Sequence, residues 1–159
     1  MPEIVPRWEW RWFGHRFAPA ESRLATLTPG AVQESSETYL LSGAGDNVKV
    51  RDALMDIKVL RETRPDGLEQ WTPVMKAGFP LPAAEVTKVF AALRLDLPPL
   101  RRASYDLGQF ITELAVPSGR IRAIDVRKRR TRYTIGGCMA ELSEVVANGK
   151  PTRTIAVES

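Results

Sequence analysis

Between Arg7 and Phe13 the chain reads RWEWRWF, so Arg7, Glu9 and Arg11 alternate with Trp8, Trp10 and Trp12. A period of two belongs to a β-strand, whose successive side chains leave opposite faces; in a helix, residues three and four apart share a face. This strand therefore has one charged and one aromatic side. The pattern recurs: Lys49 and Arg51 share a face in NVKVR, Asp56 and Lys58 alternate with Met55, Ile57 and Val59 in MDIKVLR, and Lys128, Arg130 and Arg132 alternate in VRKRRTR. In an open sheet such a face looks to water. In a closed barrel the same residues converge on a lumen.

The rest of the chain can be read in the same way. Pro19–Leu27 has the spacing of a short helix closed by Pro29-Gly30, and Glu37–Ser42 is a second strand. The loop GAGDN leads to a strand over Val48–Arg51, a turn is expected near Asp52-Ala53, and Asp66-Gly67 is a hairpin signal. Leu68–Lys76 continues the meander, with Glu69 and Trp71 on one face and Pro73 marking a bulge or edge. The period changes in a helical connection over about 82–116, where Val86, Val89, Phe90 and Leu93 predict one amphipathic helix and Leu107, Phe110, Ile111 and Leu114 a second. Alternation returns from Ile121 to Tyr133; Gly136-Gly137 and Asn148-Gly149 are turns, and Cys138–Val146 and Thr152–Glu158 are further strands. Strands, helices and strands without βαβ alternation predict an antiparallel α+β or barrel domain rather than a parallel sheet.

With 159 residues the chain suits a single domain, 1–159, and its 43% hydrophobic and 26% charged residues exclude both a disordered and a membrane-helix class. No apolar run approaches the roughly 20 residues of a membrane helix, and MPEIVPRWEW lacks the apolar core of a signal peptide. A lone cysteine, Cys138, agrees with a reducing compartment, so a cytoplasmic location is expected. The end at IAVES, in or just after a strand, is expected of a piece of a longer protein.

The net charge of +4 is small, yet RIRAIDVRKRRTR carries seven cations against one acid. An anionic partner is implied. A solvated face or nucleic-acid patch is one reading of that run. The other is a lumen lined by Arg11, Lys49, Arg51, Lys58, Lys76, Lys128, Arg130 and Arg132, whose mutual repulsion demands anions. Arg offers a planar fork to phosphate and Lys a compact charge, so a chain of phosphates fits better than a single carboxylate. Nucleic acid ranks last, since aromatics are not interleaved with the basic run as in single-strand binders. Glu9, Glu69, Glu141, Glu144 and Glu158 recur among these cations. Carboxylates beside phosphate make sense when Mg²⁺ or Mn²⁺ bridges the two, or when they simply pair with Arg across strands. The tryptophans read as packing or an oligomer contact, which keeps a homodimer among the partners.

RWEWRWF, NVKVRDALMDIK, VRKRRTRY and CMAELSEV with TIAVES resemble the successive strands of the CYTH superfamily, the triphosphate tunnel metalloenzymes, nearest an exopolyphosphatase-like bacterial branch. The resemblance spans nearly the whole chain. It implies an eight-stranded tunnel, a divalent metal, and hydrolysis or transfer at polyphosphate, triphosphate or nucleotide substrates. It implies phosphate contacts for Lys49, Arg51, Lys58, Lys128 and Arg130, metal ligation by Glu141 and Glu144, and a last-strand acid in Glu158. Glu9, Lys58 and Glu141 are the expected catalytic residues. The family's opening signature, two glutamates and a lysine at alternate positions, stands here as Arg7, Glu9 and Arg11. A non-catalytic phosphate-binding module attached to another domain is the alternative expectation.

Overall fold

The computed structural model describes residues 5–44 and 46–159; the first four residues, and Gly45 of the expected GAGDN loop, lie outside them. Eight strands carry the barrel: β1 (Arg7–Gly14), β2 (Gln33–Leu41), β3 (Asn47–Arg51), β4 (Leu54–Thr63), β5 (Glu69–Gly78), β8 (Arg122–Ile135), β9 (Cys138–Ala147) and β10 (Lys150–Glu158). Their order is β1-β10-β9-β8-β2-β3-β4-β5, closed on itself. Two short strands, β6 (Leu81–Pro82) and β7 (Ser104–Tyr105), pair separately and bracket helix α2 (Ala83–Ala92). Helix α1 is confined to Ala20–Leu24, shorter than its sequence pattern predicts. The second predicted helix exists as α3 (Leu107–Gln109), a π-helical turn (Phe110–Ala115) and α4 (Val116–Ser118). Asp106 and Gln109 form a capping box at its start. Pro117, which cannot donate to an i−4 carbonyl, lies just beyond the π turn.

The turns follow the expected chemistry. Asn148 and Gly149 both have positive φ (47° and 79°), as do Gly136 and Gly137 (53° and 80°), the backbone that two-residue hairpins need. Asp52 and Ala53 between β3 and β4 do the same at 52° and 57°. Alternation in β5 breaks where the sequence places its proline: Thr72 is buried, Pro73 and Val74 are both exposed, and Met75 is buried again.

By its contacts the chain divides into two compact units. The first holds the described residues up to Ser36 together with Arg61–Thr72 and Asp125–Ser159. Its small core gathers Phe17 and Leu24 of the α1 region with Ala140 and Ile155 of β9 and β10. The second holds Glu37–Leu60 and Pro73–Ile124. There Leu40, Val48, Val50, Met55, Ile57 and Met75 pack against Val86, Val89 and Phe90 of α2 and Phe110 and Leu114 of the π turn. In the second unit helices cover the apolar side of the strands, and in the first the α1 region covers the part formed by β9 and β10; the opposite, charged side is the inner one. Burial of these apolar side chains stabilises by roughly 1.5–3 kcal/mol each, so the helical connection is what keeps one face of β2–β4 dry.

Ala53 at positive φ carries a Cβ penalty that glycine lacks. Ala53→Gly is expected to raise stability by about 0.5–1 kcal/mol, read as a higher urea midpoint at unchanged slope; a lower midpoint would contradict a left-handed turn there.

Candidate phosphate-binding faces

Antiparallel register decides which side chains share a face, because directly opposed residues project together. In the first unit Glu9 stands opposite Glu158 on β10 and Glu69 on β5, and Arg11 opposite Ala156. Ala156, Thr154 and Glu158 of β10 face Glu141, Ser143 and Met139 of β9. Glu141, Ser143 and Val145 in turn face Arg132, Arg130 and Lys128 of β8. One inner face therefore collects Glu9, Arg11, Glu69, Lys128, Arg130, Arg132, Glu141 and Glu158. Glu144 is placed differently: it pairs with Arg153 and Arg129 on the outer side and is exposed. Three positions apart on one strand, Glu141 and Glu144 cannot project together.

The basic run is split the same way. Lys128, Arg130 and Arg132 are half-buried, while Arg127 and Arg129 are exposed and face out. On the outer side of β1, Trp12 is 62% exposed and Trp10 36%. The tryptophan row is thus not core, contrary to the packing half of its sequence reading; Arg64 stacks over Trp8 at 5.6 Å.

Arg11 organises the inner face. Its Nε donates to Glu9 Oε1 at 2.9 Å and its Nη2 to Glu9 Oε2 at 3.3 Å, a bidentate grip. Nη2 also donates to Glu141 Oε1 at 2.8 Å, and Nη1 to Thr154 Oγ1 at 3.0 Å. Burial works to lower the Arg11 pKa, but hydrogen bonds to, and the fields of, Glu9 and Glu141 outweigh it and hold the guanidinium well above its ordinary value. For Glu141 burial works upward, yet Arg11, then Arg130 and Lys128, hold the carboxyl below its ordinary range. The neighbouring acids are engaged as well. Arg7 Nη1 donates to Glu158 Oε1 at 3.0 Å, and Trp71 Nε1 donates to Glu69 Oε2 at 3.1 Å.

In the second unit Glu37 stands opposite Arg51 and Tyr39 opposite Lys49; Arg51, Lys49 and Asn47 then face Leu54, Asp56 and Lys58. This inner face therefore gathers Lys49, Arg51 and Lys58 with Asp56 and Glu37. Met75 packs with the apolar cluster, which leaves the next residue, exposed Lys76, on the charged side. Glu37, only 3% exposed, was given no role by the sequence reading. It accepts from Arg51 Nη1 at 3.4 Å and pairs with Lys49 Nζ at 3.6 Å. The signal was available in the alternation of ETYLLS, which sets Glu37 and Tyr39 together.

The fit of Mg²⁺ or Mn²⁺ can be judged from these contacts. Such ions need several carboxylate oxygens turned to one point. Glu69, Glu9 and Glu158 are opposed across three neighbouring strands, but each carboxylate is turned to its own donor, Trp71, Arg11 and Arg7. Among the described residues no group of three His, Cys, Asp or Glu side chains could hold a metal ion. In this arrangement the residues do not fit a divalent ion. Among the described residues no helix is long and apolar enough to cross a membrane.

Neither a family model nor a curated protein matches the chain. Solved structures do. A conserved hypothetical protein from Pyrococcus furiosus superposes with a TM-score of 0.51 at 13% identity, over 96% of this chain and 78% of that one. A protein from Bacillus halodurans described as a candidate adenylate cyclase gives 0.49 at 12% identity over 95% and 80%. One from Hippeastrum, described as a candidate adenylyl cyclase with a dominant triphosphatase activity, gives 0.48 at 13% over 96% and 79%. At such identities the likeness is one of fold alone.

Glu141→Gln is expected to destabilise by about 1–2 kcal/mol, less than a fully buried pair because Arg11 stays partly solvated. The Glu141 pKa is depressed on folding, so the pair's contribution is complete above its ordinary 4.5 and is lost as pH falls through the folded value. Urea titrations from pH 7 to pH 3 should show the variant losing less stability with acid than the parent; parallel curves would contradict the pair.

Proposed function

We propose that the chain, an eight-stranded tunnel-type barrel with charged inner strand faces, binds a triphosphate- or polyphosphate-bearing ligand on those faces. The observation that carries this reading is on β8: Lys128, Arg130 and Arg132 project inward at alternate positions, opposite Val145, Ser143 and Glu141, so three cations meet one acid. Among the described residues Arg132 Nε and Ser143 Oγ are buried there with no hydrogen-bond partner, two donors that an anion's oxygens would satisfy. The second unit offers the same chemistry in Lys49, Arg51, Lys58 and Lys76, with Glu37 tempering their repulsion.

Metal-dependent hydrolysis is the second reading, favoured by the opposed row Glu69–Glu9–Glu158. It requires those carboxylates to leave their present donors. Glu9, Lys58 and Glu141 are its proposed catalytic groups, and a cytoplasmic setting and a homodimer remain part of the proposal.

Calorimetry with tripolyphosphate at low salt is expected to show binding that weakens steeply as salt is raised, and Arg130→Ala should loosen it by about tenfold. Absence of heat at low salt would rule the ligand class out. Phosphate release from tripolyphosphate with Mg²⁺ or Mn²⁺ separates the two readings: release supports hydrolysis, binding without release supports a module.

A further inference from the structure

We infer that the counter-charge for the inner carboxylates of the first unit is built into the chain as Arg7 and Arg11, so that this face takes a phosphate chain without a divalent cation. The inference rests on the phosphate-binding reading above and concerns how that site is neutralised.

A metal beside phosphate gathers carboxylates and holds positive charge against the ligand. Both tasks are already performed by side chains. Arg11 gathers Glu9 and Glu141, from β1 and β9, onto one guanidinium and ties it to Thr154 of the intervening β10. All three of its nitrogens are engaged by these contacts. Arg7, from an exposed position, adds a single bond to Glu158, whose opposed neighbour Glu9 already belongs to Arg11. A divalent ion approaching the oxygens of Glu9 and Glu141 would meet the Arg11 guanidinium at ion-pair distance and would have to displace it, exchanging a paired charge for an unpaired one in a half-buried place. An approaching phosphate is instead drawn by the positive field of Arg130 and Arg132, which lie on the same face across β9. An arginine cannot be chelated away, so neutralisation of this kind is permanent.

The test uses the whole chain in two independent arms. Mn²⁺ added to the protein alone and followed by electron paramagnetic resonance should leave the free-ion signal undiminished, whereas Arg7→Gln/Arg11→Gln, which frees Glu9, Glu141 and Glu158, should take up one ion per chain. Should that double variant lose its circular-dichroism melt, the wild-type measurements decide. Tripolyphosphate should bind wild type in EDTA within about two-fold of its affinity in Mn²⁺. One Mn²⁺ bound per wild-type chain, or tripolyphosphate binding abolished by EDTA and restored by Mn²⁺, would overturn the inference. A folded double variant that takes up no Mn²⁺ would overturn it too, since the arginines would not be what excludes the ion. If tripolyphosphate fails to bind with or without metal, the phosphate reading falls, and the Mn²⁺ arm still decides whether the arginines exclude the ion.

Discussion

The guanidinium of Arg11, clamped on Glu9 and Glu141 and bonded to Thr154, is the contact on which the first unit's inner face depends. It spans three strands, so it couples the register of β1, β10 and β9 to a single charge arrangement. Were β1 to slip by one residue against β10, Arg11 would leave the inner face and a tryptophan would take its place. The charged and aromatic sides of RWEWRWF thereby forbid the neighbouring registers. A half-buried ion pair adds little net stability, since desolvation offsets much of the attraction, but breaking it leaves a charge stranded. Its contribution is to specify one arrangement more than to strengthen it.

The second unit achieves the same with different means. Glu37 is more deeply buried than either of its cationic partners and holds Lys49 and Arg51 together on the side away from α2. The opposite side of those strands is sealed by Val86, Val89 and Phe90, so their polar and apolar faces differ as sharply as the sequence alternation suggests. Charge can be concentrated on one face because packing has committed the other.

Much of the fold could be read locally. Hairpins at Gly136-Gly137 and Asn148-Gly149 follow from the need for positive φ, and α2 follows from a helical apolar period. Helix α1 was over-read because apolar spacing over Pro19–Leu27 does not fix where hydrogen bonding ends. Lys76 could not be placed by parity with Glu69, because the break at Pro73–Val74 shifts the count by one. Glu144, by contrast, was misplaced despite a legible rule: three residues from Glu141 on a strand, it had to face the other way. Alternation in ETYLLS set Glu37 beside Tyr39 on one face, but only its burial, 3% exposed, gave that acid a role.

By itself the sequence determined that several strands carry charge on one face only, and that cations prevail on them, because period two and side-chain chemistry are local properties. Tertiary structure alone decided how the charges meet. Whether Glu9 turns to a metal or to a guanidinium depends on what register sets beside it, and register is a relation between strands that lie far apart in the chain: Glu9 opposite Glu158 and Glu69, and Arg11 within reach of Glu141. Residue types made the inner faces chiefly cationic. The pairing of those residues in space turned Glu9 and Glu141 to the guanidinium of Arg11.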